Sequence, residues 1–381
     1  MYHHVGLLVI LSISLFSACS GKSNQNSSNP SSHQDLSLKQ DVLKQFDTMM
    51  LSKLDAFFMA YDLLQTKVSD WQKTPTDLVL QQKAQIAWTE AMTIWQGIEM
   101  AQVSALCASD KCQNGADFRD QIYAWPSSNV CKIDQMILNQ EITVSAQFAN
   151  KLPNTYGLGA LEFLLFDSSV DHHCPTAVGI DDRWQQLGES EIWQRRAQYA
   201  LFVADYGVQV NLGLKGAWKN LVSQDIQVSL DEIFSALMYL DLMVKDDKIG
   251  IPAGIHIDCE GDGICLDRVE LVYAPDDLKA ITENLKMTRK IIEIVFQPLL
   301  KAQVSENMET SPLDERLLAS IDQALSKTAA LGNDLEDALQ NRLVDVTALH
   351  TAIKEIVALL RSEMMTRLNL SVPKEGASDN D

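Results

Sequence analysis

Apolar residues in this chain recur at three- and four-residue steps. A chain patterned in this way buries its apolar surface as packed helices. Near the end, Leu349, Ile353, Ile356, Leu360 and Met364 step by 4, 3, 4 and 4. Trp193, Ala197, Ala200, Ala204 and Val208 form a narrow stripe of small residues that permits close helix packing. No run alternates with period two for long enough to demand a sheet. Helix starts are marked by Thr74-Pro75-Thr76-Asp77 and Ser311-Pro312-Leu313-Asp314, each giving an N-cap, a proline at the first helical position and an acid at the third. Ala274-Pro275-Asp276-Asp277 is a weaker version.

These signals predict helices over 36–69, 75–105, 132–149, 156–166, 182–222, 227–246, 276–302, 312–337 and 340–370. Short connections make neighbouring helices antiparallel. The expectation is therefore an all-α fold of two helical-bundle halves over 36–370, split near 205–225, with a disordered tail at 371–381. The longer irregular stretches are 106–131, 167–181 and 247–275. Apolar residues at 46% and charged residues at 22% suit a globular body and exclude disordered, collagenous and polytopic membrane classes. Lys and Arg number 31 against 51 Asp and Glu, and the net charge of −20 argues against a nucleic-acid partner.

Residues Val5 to Ala18 form an apolar run too short for a comfortable membrane span and of the right length for a signal-peptide core. Leu15-Phe16-Ser17-Ala18-Cys19 follows, and it resembles a bacterial lipobox. The resemblance implies a signal peptide over 1–18, cleavage before Cys19, and a lipid on that cysteine. Phe16 departs from the usual Leu or Val, and the leading segment offers His3 and His4 where Lys or Arg is usual. Nine Ser or Asn among the fourteen residues Ser20–His33 cannot offset their own ordering entropy, so 19–35 reads as a flexible tether. Ser20, rather than Asp, after the cysteine resembles outer-membrane sorting. The expected address is the periplasm-facing cell envelope, with the membrane as a partner through the lipid.

Setting Cys19 aside leaves Cys107, Cys112, Cys131, Cys174, Cys259 and Cys265, an even number that should pair in an oxidising compartment. Six cysteines allow fifteen connectivities. The favoured one closes the two short polar loops, 107 with 112 and 259 with 265, and leaves 131 with 174. Zinc is the rival reading, but there is no CxxC pair.

The informative segment is Tyr156-Gly157-Leu158-Gly159-Ala160-Leu161-Glu162-Phe163-Leu164-Leu165-Phe166, where one carboxylate lies in an apolar helix. Such a group needs a cation, a metal or several donors. The same logic selects Glu99 in Trp95-Gln96-Gly97-Ile98-Glu99-Met100. For each, the plain alternative is a solvent-facing acid or one satisfied by an internal Arg.

With Tyr123-Ala124-Trp125-Pro126, Ile133-Asp134, Arg196 with Tyr199, and Lys248-Ile249-Gly250-Ile251-Pro252-Ala253-Gly254, these segments in this order resemble the imelysin-like family over roughly 40–370. The resemblance implies two bundle-like halves, a secreted or lipid-anchored bacterial protein, and a metallopeptidase or iron-linked role. The family's hallmark is G-x-H-x-x-E, one helical turn between a His and an acid that can share a metal. Here Gly159 holds the His position between Gly157 and Glu162. The late hydroxyl-rich segment keeps Glu270 but has Leu271 and Ala274. Neither HExxH, a G-x-S-x-G elbow nor a P-loop is present.

Two further clusters bear weighing. In Asp171-His172-His173-Cys174, a His such as His172 could swing back to Glu162; the plain reading is a polar loop beside a disulfide. Asp258-Cys259-Glu260-Gly261-Asp262-Gly263 resembles the start of a calcium loop, but position twelve is Val269 and Glu270 falls one residue late. The leading expectation is a lipid-anchored, non-catalytic binding protein with an inter-bundle cleft using Glu99 and Glu162 with Arg196 nearby, linked to iron uptake. Its ligand would be a small molecule or a divalent metal such as iron, zinc or calcium. The alternatives are a metal-dependent peptidase and a scaffold for another envelope protein.

Overall fold

A computed structural model of the chain describes residues 30–259, 263–303 and 312–373. Every regular element among them is helical. The first half is built on α1 (Pro30–Gln72) and α2 (Leu78–Glu99), which pack on each other. It is completed by α3 (Val130–Asn139), α4 (Gly157–Phe166) and α5 (Glu189–Ala217). α5 lies against α1, and α4 packs on both α2 and α5. Phe46, Phe57, Leu64 and Trp71 of α1 are fully buried and line one stripe of that helix. Each such side chain stabilises the fold by about 1.5–3 kcal/mol.

The second half begins with α6 (Ile226–Leu237), followed by a π-helical stretch, Leu240–Gly250. It continues with α7 (Asp277–Ile291), α8 (Leu313–Leu331) and α9 (Leu343–Leu359). α8 packs against α7 and α9, and the π-helical stretch packs against the same two helices. The halves meet where α2 lies on α7. Among the described residues no helix is long and apolar enough to cross a membrane.

Several expected boundaries move, each for a local reason. Helix 75–105 starts at Leu78, because Asp77 rather than Thr74 caps it, accepting from the backbone N–H groups of Val79 (2.9 Å) and Leu80 (3.2 Å). It ends at Glu99, although Ala101, Val103 and Ala105 stay buried, so the apolar pattern there reported burial without continuing the α-helix; only a single 3-10 turn, Ser104–Leu106, follows. Helix 132–149 stops at Asn139, where Gln140 turns left-handed (φ 49°). Helix 182–222 is split by Gly188 (φ 73°) and ends at Ala217. Helix 227–246 ends as an α-helix at Leu237, and the π-helical stretch runs on to Gly250, inside a stretch expected to be irregular. Helix 312–337 ends at Leu331, and a short helix, Leu335–Asn341, follows it, capped by Asp334.

α1 begins at Pro30, so the end of the expected tether is helical. The signal peptide, Cys19 and most of the tether lie outside the described residues, as does the tail beyond 373. The three expected disulfides form: Cys107–Cys112, Cys131–Cys174 and Cys259–Cys265. Cys131 sits in the first turn of α3 rather than in a loop, so its bridge ties a helix to the 167–181 segment.

Candidate functional site

α4 begins at Gly157 with φ +82°, and a Cβ there would lie 2.5 Å from the Ile122 carbonyl oxygen. Only glycine fits that approach, so the first residue of the motif fixes where α4 starts. Glu162 is 5% exposed, one turn beyond Gly159. Both line a cleft of about 280 Å³ between the halves. Trp125 and Ser128 join them from the first half, and Asp247, Arg268, Glu270 and Tyr273 face them from the second.

Glu162 Oε1 accepts from the backbone N–H groups of Tyr273 (2.9 Å) and Ala274 (3.2 Å). Burial pushes this carboxyl up to about 8, against the pull of those two N–H groups and with help from Asp277 and Glu270. Its proton is therefore held more tightly than that of an ordinary carboxyl, and while it carries the proton it can donate as well as accept. Burial likewise lifts Asp277 to about 7, and its Oδ1 accepts from Leu271 N–H at 2.9 Å. Asp247 is lifted to about 6 by burial and by Asp246.

Behind the cleft lies a buried charge cluster centred on Lys248. Its Nζ donates to Gln96 Oε1 (2.6 Å), Asn284 Oδ1 (3.1 Å) and Glu99 Oε2 (3.2 Å), and pairs with Glu270 Oε2 at 3.0 Å. Gln96 Nε2 donates to Glu270 Oε1 at 2.8 Å, and Arg119 donates to Glu99 Oε1 at 2.7 Å. Burial alone would raise the Glu99 carboxyl, but Lys248 and Arg119 outweigh it and hold the pKa below the ordinary value. Burial opposes charge on Lys248, yet Glu270 and Glu99 keep its pKa above the ordinary lysine range. Glu270 is raised, because burial exceeds what Lys248 gives back. The Tyr123 hydroxyl is buried beside these acids without a well-formed hydrogen bond among the described residues.

The sequence candidates separate. Glu162 lines the cleft, and Glu99 reaches it only through Lys248 and Glu270. Arg196 does not join them. Its guanidinium is spent on Asp167 (3.4 Å), Asp134 (3.7 Å) and the carbonyls of Ser169 and Asp171, clamping the loop after α4. His172 points to Asp181 (3.3 Å) and Trp184 instead of swinging toward Glu162. Its neighbour His173 backs the cleft wall, edge-on to Phe163 at 5.0 Å, with Asp134 holding its pKa above the usual value. In the candidate calcium loop, Asp258 pairs with His256, and Glu260 to Asp262 lie outside the described residues.

Sequence reasoning missed Lys248, Arg119, Gln96 and Asn284 as site residues. Lys248 and Gln96 stood inside quoted segments, but Lys248 follows Asp246-Asp247, so its neighbours read as an ordinary charged stretch and gave no signal of burial. Arg119 and Asn284 carried none.

The sequence profile of peptidase family M75, imelysin, matches residues 54–362. The chain belongs to the imelysin family. Its fold is shared with a solved imelysin-like protein from Psychrobacter arcticum 273-4, at TM-score 0.68 and 16% identity over 88% of this chain and 97% of that one. A candidate iron-regulated protein A precursor from Parabacteroides distasonis ATCC 8503 is similar at TM-score 0.63 and 13% identity, over 87% and 95%. Comparison with curated protein sequences gives no match.

A metal of the kind the imelysin motif implies does not fit these residues. Gly159 supplies no donor atom, and Glu162 spends one oxygen on two N–H groups. Glu270 and Glu99 already share the Lys248 ammonium as their cation. Among the described residues, no three His, Cys, Asp or Glu side chains form a metal-holding group.

The Glu162 acid also sets a pH dependence. Its folded value near 8 stands above the ordinary 4.5, so the folded chain keeps a proton that the unfolded chain has released. Stability from this group is fully present below the lower value and is lost as pH rises through the upper one. Glu162→Gln keeps the acceptor for Tyr273 and Ala274 and removes the titration. Urea denaturation at about pH 5 and about pH 8 should show a shallower loss in the variant, leaving the part due to Asp277 and Asp247. An unchanged slope would show that Glu162 does not titrate in this interval.

Proposed function

We propose that this protein is a lipid-anchored cell-envelope member of the imelysin family that binds a small polar ligand between its bundle halves and does not hydrolyse peptides there. The observation that carries the reading is the pairing of Gly159 with the buried Glu162 on the cleft wall, with Lys248 in place of a metal behind it. A carboxylic acid can donate and accept one hydrogen bond each to a neutral ligand, and Trp125 offers an aromatic face. A metallopeptidase needs an activated water, and Gly159 with an engaged Glu162 does not make a ligand pair for the metal that would activate it. The name of the Parabacteroides neighbour supports a place in an iron-responsive system.

Calorimetric titration with zinc and with ferrous iron tests the reading. The wild type should show no stoichiometric binding that depends on Glu162. Gly159→His should gain zinc affinity at least about tenfold, since the nearest atom to a new Cβ is the rotatable Ser128 Oγ at 2.8 Å. Tight wild-type binding abolished by Glu162→Ala would restore the metalloprotein. The anchor is tested separately: Cys19→Ser should move the protein from the membrane pellet to the soluble fraction, and retention with lipid would refute lipidation at Cys19.

A further inference from the structure

His173 sits between two carboxylates. Its Nδ1 lies 3.5 Å from Asp134 Oδ2, on α3, and its Nε2 lies 3.7 Å from Asp167 Oδ2, just past the end of α4. Its backbone N–H also donates to Asp134 Oδ2 at 2.7 Å. Arg196, on α5, approaches the same two acids at 3.7 and 3.4 Å. From the second half, the Tyr273 ring closes the group, 6.0 Å from the His173 ring and 5.3 Å from that of Phe163. Asp134, Asp167 and Arg196 are buried, whereas the His173 side chain is 28% exposed, so water can take its proton. Two buried carboxylates thus share one permanent cation, and the imidazole is placed to supply a second.

A neutral imidazole carries one N–H and one lone pair. Whichever nitrogen of His173 kept the proton, the other would turn its lone pair toward a carboxylate. The imidazolium, with two N–H groups, suits both acids. The histidine beside it differs: His172 Nε2 faces Asp181 at 3.3 Å while its Nδ1 accepts from Cys174 N–H at 3.2 Å, an arrangement that one ring proton satisfies. We propose that His173 is a proton-operated latch on the wall of the Glu162 cleft. As imidazolium it ties α3 to the segment after α4 and braces the ring of Tyr273, whose backbone N–H holds Glu162. As imidazole it lets go of one carboxylate, and the brace loosens. Asp134 and then Asp167 hold the pKa of His173 above the ordinary 6.5, against burial and Arg196. The tie is therefore complete below about 6.5 and is lost as pH rises through the folded value. The latch operates whether or not the cleft holds a ligand, so its test uses none.

Hydrogen–deuterium exchange of the full, disulfide-intact chain at about pH 6 and about pH 9 tests this, with each rate divided by the intrinsic rate at the same pH. In the wild type, residues 171–175 should lose protection at least about tenfold between the two. His173→Gln, uncharged at both pH values, should show the lower protection throughout, and His173→Lys, charged at both, the higher. Tyr273 and Ala274 should follow the same pattern in a Glu162→Gln background, where their acceptor stays and its own titration is gone. Proton NMR of the His173 ring, assigned through its contacts with the Phe163 and Tyr273 rings, should place its midpoint above 6.5. Should a variant fail to fold, the wild-type exchange and the ring midpoint decide. Equal wild-type protection at both pH values, a midpoint at or below 6.5, or a folded His173→Gln that keeps the wild-type pH response would each overturn the latch.

Discussion

Lys248→Met is expected to cost about 3–5 kcal/mol of stability, the largest effect of any single substitution considered for this protein. The lysine is 1% exposed and lies between two carboxylates, each of them almost fully buried. Methionine fills similar volume, so the loss is electrostatic. Glu270 and Glu99 would face each other at a buried site with Arg119 as the remaining cation, which bonds Glu99 but not Glu270. Gln96 and Asn284 would each lose a donor as well. Urea denaturation measures the cost.

A second substitution identifies the source. Glu270→Gln in the Lys248→Met background should recover a substantial part of the loss, because it removes the carboxylate left unpaired. The pH response should change too. Without Lys248, the folded-state pKa of Glu270 rises further above its unfolded value, so the variant should gain stability as pH is lowered from about 8 to about 5. A loss below about 1 kcal/mol would mean that water reaches the cluster and screens it.

Replacing Cys131 and Cys174 together with alanine should cost about 4 kcal/mol, against about 2 for either short bridge. The difference follows from loop size: the sequence separation is 43 here and 5 or 6 in the others. The chain between these cysteines carries α4, Gly159 and Glu162, so the bridge restrains one wall of the Glu162 cleft. Arg196 clamps the same loop through the Ser169 and Asp171 carbonyls, and Asp134 accepts from His173 N–H at 2.7 Å. The variant should therefore still fold, with a lowered urea midpoint and an unchanged helical spectrum. A loss no larger than that from removing Cys107–Cys112 would show that the clamp already restrains the loop in the unfolded ensemble.

The sequence by itself determined the helical class, the two-half architecture, the disulfide partners and the odd acid of α4. Most of these are local properties; the Cys131–Cys174 pair, 43 residues apart, followed only once the two short loops were closed. Apolar period decides which stripe of a helix is buried, loop length decides which cysteines meet, and an isolated Glu among Leu and Phe is visible in ten residues. Helix boundaries were less legible, because Gln140 and the π-helical stretch after α6 take conformations that no side-chain period encodes. Only the tertiary structure decided the partners of buried charge. Glu99 and Lys248 are 149 residues apart in sequence, and Glu270, Gln96 and Asn284 arrive on three separate segments. Arg196, chosen as a neighbour for Glu162, turned to the loop carbonyls, which offered closer acceptors. His172 and His173 stand side by side, and no pattern told which of them would meet two carboxylates. Period and composition say that a group is buried; which distant side chain answers its charge is set by packing two bundles together.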